Sequence, residues 1–150
     1  MPLPRRIVIT GMAAITPLAD TLDGFRDALI AGRSAVRALT YCDTDRIHVK
    51  IGSDITGYDP AIKLARLRTA MPEDASRRLT SLHRRFPWSS GLAMMTGCDA
   101  WLDAGLFEAR IDPLRAATIV AGHNINTNLV MSNVVQFLEE PDFIDPLYSL

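Results

Sequence analysis

The sequence predicts an α/β layered fold, with a mostly parallel sheet packed by helices, on three observations. Two short apolar runs, Ile7 to Thr10 and Ala117 to Ala121, read as fully buried strands. Amphipathic helices with recognisable ends lie between and after them. Strand and helix therefore alternate, which favours parallel strands joined by crossovers over a meander. At 150 residues, with 48% apolar and 22% charged side chains, the chain is long and apolar enough for one ordinary domain with a core.

The first strand closes at Gly11 in a tight turn. A helix follows it: Asp20 or Thr21 is placed to cap its start, Leu22, Phe25, Ala28 and Leu29 form its apolar face, and Gly32 stands where a left-handed C-terminal cap is wanted. A further strand is expected around His48 to Ser53, with Val49 and Ile51 on one face. From Ala61 to Phe86 the chain is basic, with Lys63, Arg66, Arg68, Arg77, Arg78, Arg84 and Arg85 against only Glu73 and Asp74, and Met71-Pro72 breaks it into two short pieces.

The clearest helix starts near Pro87 and carries Trp88, Leu92, Met95 and Leu102 on one face, with Gly105 just past its end. Asp112-Pro113 makes a turn before the second strand, which runs into the polar stretch Gly122 to Asn126. A last helix is expected over about Asn128 to Leu138, with Val130, Val134, Phe137 and Leu138 on one side, ended by Glu139-Glu140-Pro141. The final residues, DFIDPLYSL, are apolar and aromatic where a domain end is usually polar. Residues 1–150 are accordingly expected to be an incomplete part of a longer chain, one that needs more chain and a partner subunit to hide its apolar surface.

Composition excludes several function classes. A formal net charge of −1 gives no global attraction to nucleic acid or to an anionic membrane. No apolar run approaches the roughly 20 residues of a membrane span, and MPLPRR leads into no cleavable signal segment, so a cytoplasmic protein is expected. Cys42 and Cys98 form no CxxC pair and have no histidine at ligand spacing, which leaves neither a disulfide framework nor a metal site. Cys98 lies within a helix pattern, where cysteine behaves as a small hydrophobe rather than a nucleophile.

The strand-turn-helix at Thr10 to Leu29 also invites comparison with a dinucleotide-binding unit, but only Gly11 stands where that fingerprint wants three glycines. Instead, RRIVITGMAAITPLADTLDGFRDALIAGRSAV resembles the opening of β-ketoacyl-acyl-carrier-protein synthases: a strand, a T-G-hydrophobic-G turn, a proline, and a helix ending in L..G.S. Thr10, Gly11, Met12, Pro17, Phe25, Leu29, Gly32 and Ser34 match, whereas Ala13 and Ala19 replace glycines common in that family. The helix Gly91 to Gly105 with Leu106 is similar to the family's A...AL.DAGL segment, and Ala117 to Gly122 to its next strand, IGVIVGSG. The matches run in order over nearly the whole chain.

The resemblance implies a partial thiolase-like layered fold and a condensing activity of fatty-acid or polyketide biosynthesis. In that chemistry an acyl group is carried on an active-site thiol, a malonyl-carrier thioester loses carbon dioxide, and the carbanion attacks the acyl thioester. The family's cysteine nucleophile, two histidines and a lysine fall beyond the position matching Leu150. No catalytic residue is therefore assigned within the chain, which alone is expected to be inactive; His48, His83 and His123 occupy none of the catalytic positions.

What the chain is expected to supply is shape and docking. Ile125 matches a hydrophobic gate of the acyl pocket, here in a loop made polar by His123, Asn124, Asn126 and Thr127. Ile144-Asp145-Pro146-Leu147-Tyr148 resembles I.PFF, whose aromatic side chain crosses a dimer interface, so Leu147 and Tyr148 join Ile125 as substrate-side residues and a homodimer, or a heterodimer with a related subunit, is implied. A phenol at Tyr148 favours short or polar acyl chains. Arg77 and Arg78 match a cationic pair that meets the acidic acyl carrier protein.

The family needs no metal and no bound cofactor, since the phosphopantetheine arrives on the carrier protein. Two other readings stay open. One is a decarboxylase-type ketosynthase of polyketide β-branching, with serine as nucleophile, which turns malonyl-carrier protein into acetyl-carrier protein. The other is a non-catalytic chain-length-factor-like or carrier-docking subunit.

Overall fold

The computed structural model describes residues 6–40, 42–122 and 127–141. Among them the elements are α1 (Leu22–Ile30), β1 (Arg37–Ala38), β2 (Ile51–Gly52), α2 (Pro60–Ala70), α3 (Glu73–His83), α4 (Trp88–Asp103) and α5 (Thr127–Glu139), with a 3-10 turn at Pro113–Arg115.

Helix ends follow local chemistry. Thr21 caps α1, its hydroxyl accepting the Gly24 N–H at 3.2 Å. Gly32 follows at φ 63°, where its N–H donates to Leu29 O and that of Arg33 to Ala28 O. Gly105, at φ 65°, ends α4 in the same way, through Gly105 N–H to Leu102 O and Leu106 N–H to Trp101 O. These paired bonds close orphan carbonyls in Schellman motifs, and the left-handed backbone they need favours glycine. Asp59 caps α2 ahead of Pro60, and Met71 is extended at ψ 157° because the residue before Pro72 is kept out of the helical region.

The core lies among α2, α3 and α4. Leu67 and Met71, Leu79, and Leu92 with Met95 bury one another, and Ile15, Ile55, Tyr58, Leu102 and Phe107 pack around them. Of the apolar face expected on α4, Leu92 and Met95 are buried and Leu102 is partly so, while Trp88 is half exposed. On α1 only Ala28 is buried, and Leu29 is exposed.

The turn after the first apolar run docks on the end of α4. A Cβ at Gly11 would stand 2.4 Å from the Ala100 carbonyl oxygen and 2.6 Å from the Ala104 nitrogen, so only a hydrogen fits there. The Met12 N–H donates to the Asp103 carboxylate at 2.9 Å. The Thr10-Gly11-Met12 and Asp103-Ala104-Gly105-Leu106 motifs, remote in sequence, are thus one packed unit.

The sheet differs from expectation. The described residues contain one ladder, β1 with β2, antiparallel and two residues long. Asp54 braces it, accepting from the Arg37 guanidinium at 3.3 Å and the Thr56 N–H at 3.0 Å. The strand expected over His48 to Ser53 is therefore reduced to Ile51–Gly52. Ile7 to Thr10 and Ala117 to Ala121 belong to no ladder, with Ile7 95% and Ile119 92% exposed. Their β-branched composition favours a strand, but a strand forms only when another backbone takes its N–H and C=O groups. No such partner is present among the described residues.

Candidate functional site

Alternation of burial along α3 sets its outer face. Leu79 and Ser76 turn inward, so Arg77 and Arg78 are left exposed. Arg77, Ser81 and Arg84 follow at four- and three-residue steps, with Arg85 in the turn after the helix. Together with Arg68 from α2, these arginines and the α3 hydroxyls line a cleft of about 390 Å³. Arg77 also faces Glu73 at 3.8 Å, an exposed pair that stabilises little and releases easily. Arg78 is exposed beside the cleft without lining it.

Two cations of the basic stretch face elsewhere. Lys63 is 1% exposed, and its ammonium donates to the Asp20 carbonyl at 2.7 Å and to the Asp99 carboxylate. Arg66 reaches the same carboxylate at 3.2 Å. Beside them Tyr58 donates its hydroxyl to the Asp20 carboxylate at 3.1 Å. Burial first, and then that hydrogen bond, push the Tyr58 phenol up to about 12. The basic patch is accordingly smaller than the sequence suggested, and Lys63 belongs to a buried network instead.

Cys98 is not equipped as a nucleophile. Burial, followed by the neighbouring Asp99 charge, raises the Cys98 thiol, which keeps it protonated. Cys42 is exposed. Among the described residues no three His, Cys, Asp or Glu side chains converge to hold a metal ion, and no helix is long and apolar enough to cross a membrane.

Of the expected site residues, Arg77 and Arg78 are described and lie at or beside the cleft, whereas Ile125, Leu147 and Tyr148 lie outside the described residues. Arg68, Arg84 and Arg85 were legible only as members of a charge run. The signal that joins Arg84 to Arg77 is their seven-residue spacing on one helical stripe; Arg68 reaches the cleft by tertiary packing of α2 on α3, which no spacing reveals.

The chain is 31% identical to the 3-oxoacyl-[acyl-carrier-protein] synthase 2 of Coxiella burnetii over 102 residues, 68% of this chain and 21% of that protein. It is 29% identical, over 97% of its length and 33% of the relative's, to a Streptomyces violaceoruber protein named as a granaticin polyketide β-ketoacyl synthase 1. It therefore spans between about a fifth and a third of these curated relatives. No solved structure matches the chain significantly. The family model described as "Beta-ketoacyl synthase, N-terminal domain" matches residues 4–143, a span holding both the Gly11 turn and the α4 end on which it docks, and the chain belongs to that family.

Proposed function

We propose that this chain is the N-terminal part of a β-ketoacyl synthase, and that in the whole protein it docks the acyl carrier protein and shapes the acyl pocket. The observation that carries the reading is the arginine face of α3. Arg77 and Arg78 are exposed on it, next to a cleft walled by further guanidinium groups. Cations at a pocket mouth raise the on-rate of an acidic partner and fix the orientation in which its phosphopantetheine enters. The reaction is a decarboxylative Claisen condensation. Malonyl-carrier thioester releases carbon dioxide, its carbanion attacks the enzyme-held acyl thioester, and the enzyme thiol leaves to give the β-ketoacyl-carrier product.

Ile125, Leu147 and Tyr148 are the substrate-side residues of this proposal, and the working assembly is a dimer. In it the exposed runs Ile7 to Thr10 and Ala117 to Ala121 become parallel strands of the thiolase-like sheet. Their near-complete exposure supports this, because β-branched side chains there would gain most from being covered.

The test is carrier binding by the full-length protein. Arg77→Glu with Arg78→Glu is expected to weaken binding at least about tenfold at low salt, a loss that narrows as salt screens the charges. Binding that is unchanged sinks the docking role. Product analysis with malonyl-carrier protein then separates the chemistries: β-ketoacyl product marks condensation, acetyl-carrier protein marks decarboxylation alone, and binding without turnover marks a docking subunit. Tyr148→Ala is expected to extend chain-length tolerance in the condensation assay; the same selectivity across a chain-length series removes Tyr148 from the pocket.

A further inference from the structure

We infer that the cleft between α2 and α3 is a binding site for a phosphate-bearing ligand. Four arginines, Arg68, Arg77, Arg84 and Arg85, line it, and no carboxylate does. Arg68, Arg84 and Arg85 have no ion-pair partner among the described residues, and Arg77 has only the 3.8 Å contact to Glu73. Like charges gathered around one concavity repel each other, and a polyanion between them converts that repulsion into attraction. Guanidinium groups suit this task because they donate in a planar fork that matches phosphate oxygens.

The remaining wall supports the same class. The hydroxyls of Ser76 and Ser81 have no hydrogen-bond partner among the described residues, so both stand ready to donate to an anion. Thr80 is already committed, its hydroxyl donating to the Ser76 carbonyl at 2.9 Å. Concavity separates this site from a docking face. An acidic helix is broad and meets protruding side chains such as Arg78, whereas a cleft of about 390 Å³ suits a compact organic phosphate. Two sources carry that group: a soluble organic phosphate, or the phosphodiester that joins a carrier protein to its arm. Only the second source rests on the carrier-docking reading.

The probe is pyrophosphate, titrated calorimetrically into the full chain at fixed ionic strength, with tricarballylate as a carboxylate of similar charge. Pyrophosphate is expected to saturate one site, and tricarballylate to bind at least about tenfold more weakly. Arg84→Gln with Arg85→Gln, and separately Arg68→Gln, are expected to cost at least about tenfold each. All three positions are exposed, so the fold is retained, which far-ultraviolet circular dichroism checks. Arg33→Gln with Arg110→Gln removes two exposed charges elsewhere and is expected to change affinity less than about twofold.

Absence of saturable pyrophosphate binding, or equal losses in the Arg33/Arg110 control, overturns the inference. Displacement of pyrophosphate by the phosphopantetheinylated carrier but not by its unmodified form identifies the arm as the source. Pyrophosphate binding that neither carrier form displaces identifies a soluble phosphate as the source, and the carrier-docking reading is then decided separately by the Arg77→Glu with Arg78→Glu variant.

Discussion

Tyr58 is the residue at which the environment is felt most directly. Its phenol is pushed from the ordinary 10.0 to about 12, first by burial and then by the hydrogen bond to the Asp20 carboxylate, which a phenolate would face as a like charge. The neutral form is favoured in the folded state, so its stabilisation is complete below about pH 10 and is lost as pH rises through about 12. Of the three tyrosines, one is therefore expected to ionise late, near pH 12, in an absorbance titration. Tyr58→Phe should remove that phase and flatten stability against pH in the same window. Three tyrosines titrating together near pH 10, the ordinary value, would contradict the part-buried hydrogen bond to Asp20.

At the scale of elements, the Gly11 turn and the end of α4 test whether two sequence-distant motifs form one unit. Gly11→Ala drives a methyl to within 2.4 Å of the Ala100 carbonyl, and backbone there cannot swing aside as a flexible side chain would. A loss of about 1–3 kcal/mol is expected, the usual range for forced overpacking, read as a fall of several degrees in Tm. Gly97→Ala provides the contrast within α4: nothing stands within 4 Å of its Cβ position, and the substitution is expected to gain about 0.5–1 kcal/mol. Equal Tm values for both variants would refute the docked turn. The same elements show what was legible beforehand. The Thr21 cap, the Met71-Pro72 break and the turns at Gly32 and Gly105 are set by a few adjacent residues, and each stands where the sequence indicated. Ile7 to Thr10 and Ala117 to Ala121 have strand composition but no ladder, because pairing depends on a distant backbone that local composition cannot specify. Arg77 and Arg78 were legible as exposed cations through the helical period, whereas the cleft beside them needed the α2–α3 contact.

For the whole molecule, the informative misreading is Lys63. In a run of cations it reads as one more solvated charge, yet packing of α2 against α4 and the chain before α1 leaves it no access to water. Its ammonium then becomes the joint among three parts of the fold, holding the Asp20 carbonyl and the Asp99 carboxylate together. Lys63→Met keeps similar bulk and removes the joint. Asp99 retains Arg66, and its side chain is 20% exposed, so the loss should fall at the lower end of that for an orphaned buried charge, about 3 kcal/mol. With a urea dependence of about 2 kcal/mol per molar, the unfolding midpoint falls by about 1.5 M. Lys63→Met with Asp99→Leu is expected to recover part of that loss, since the stranded carboxylate is removed along with its partner. A Lys63→Met protein with an unchanged midpoint would mean that apolar contacts around Leu67 and Met95 hold α2 to α4 by themselves, and that the buried ion pair contributes nothing to cohesion.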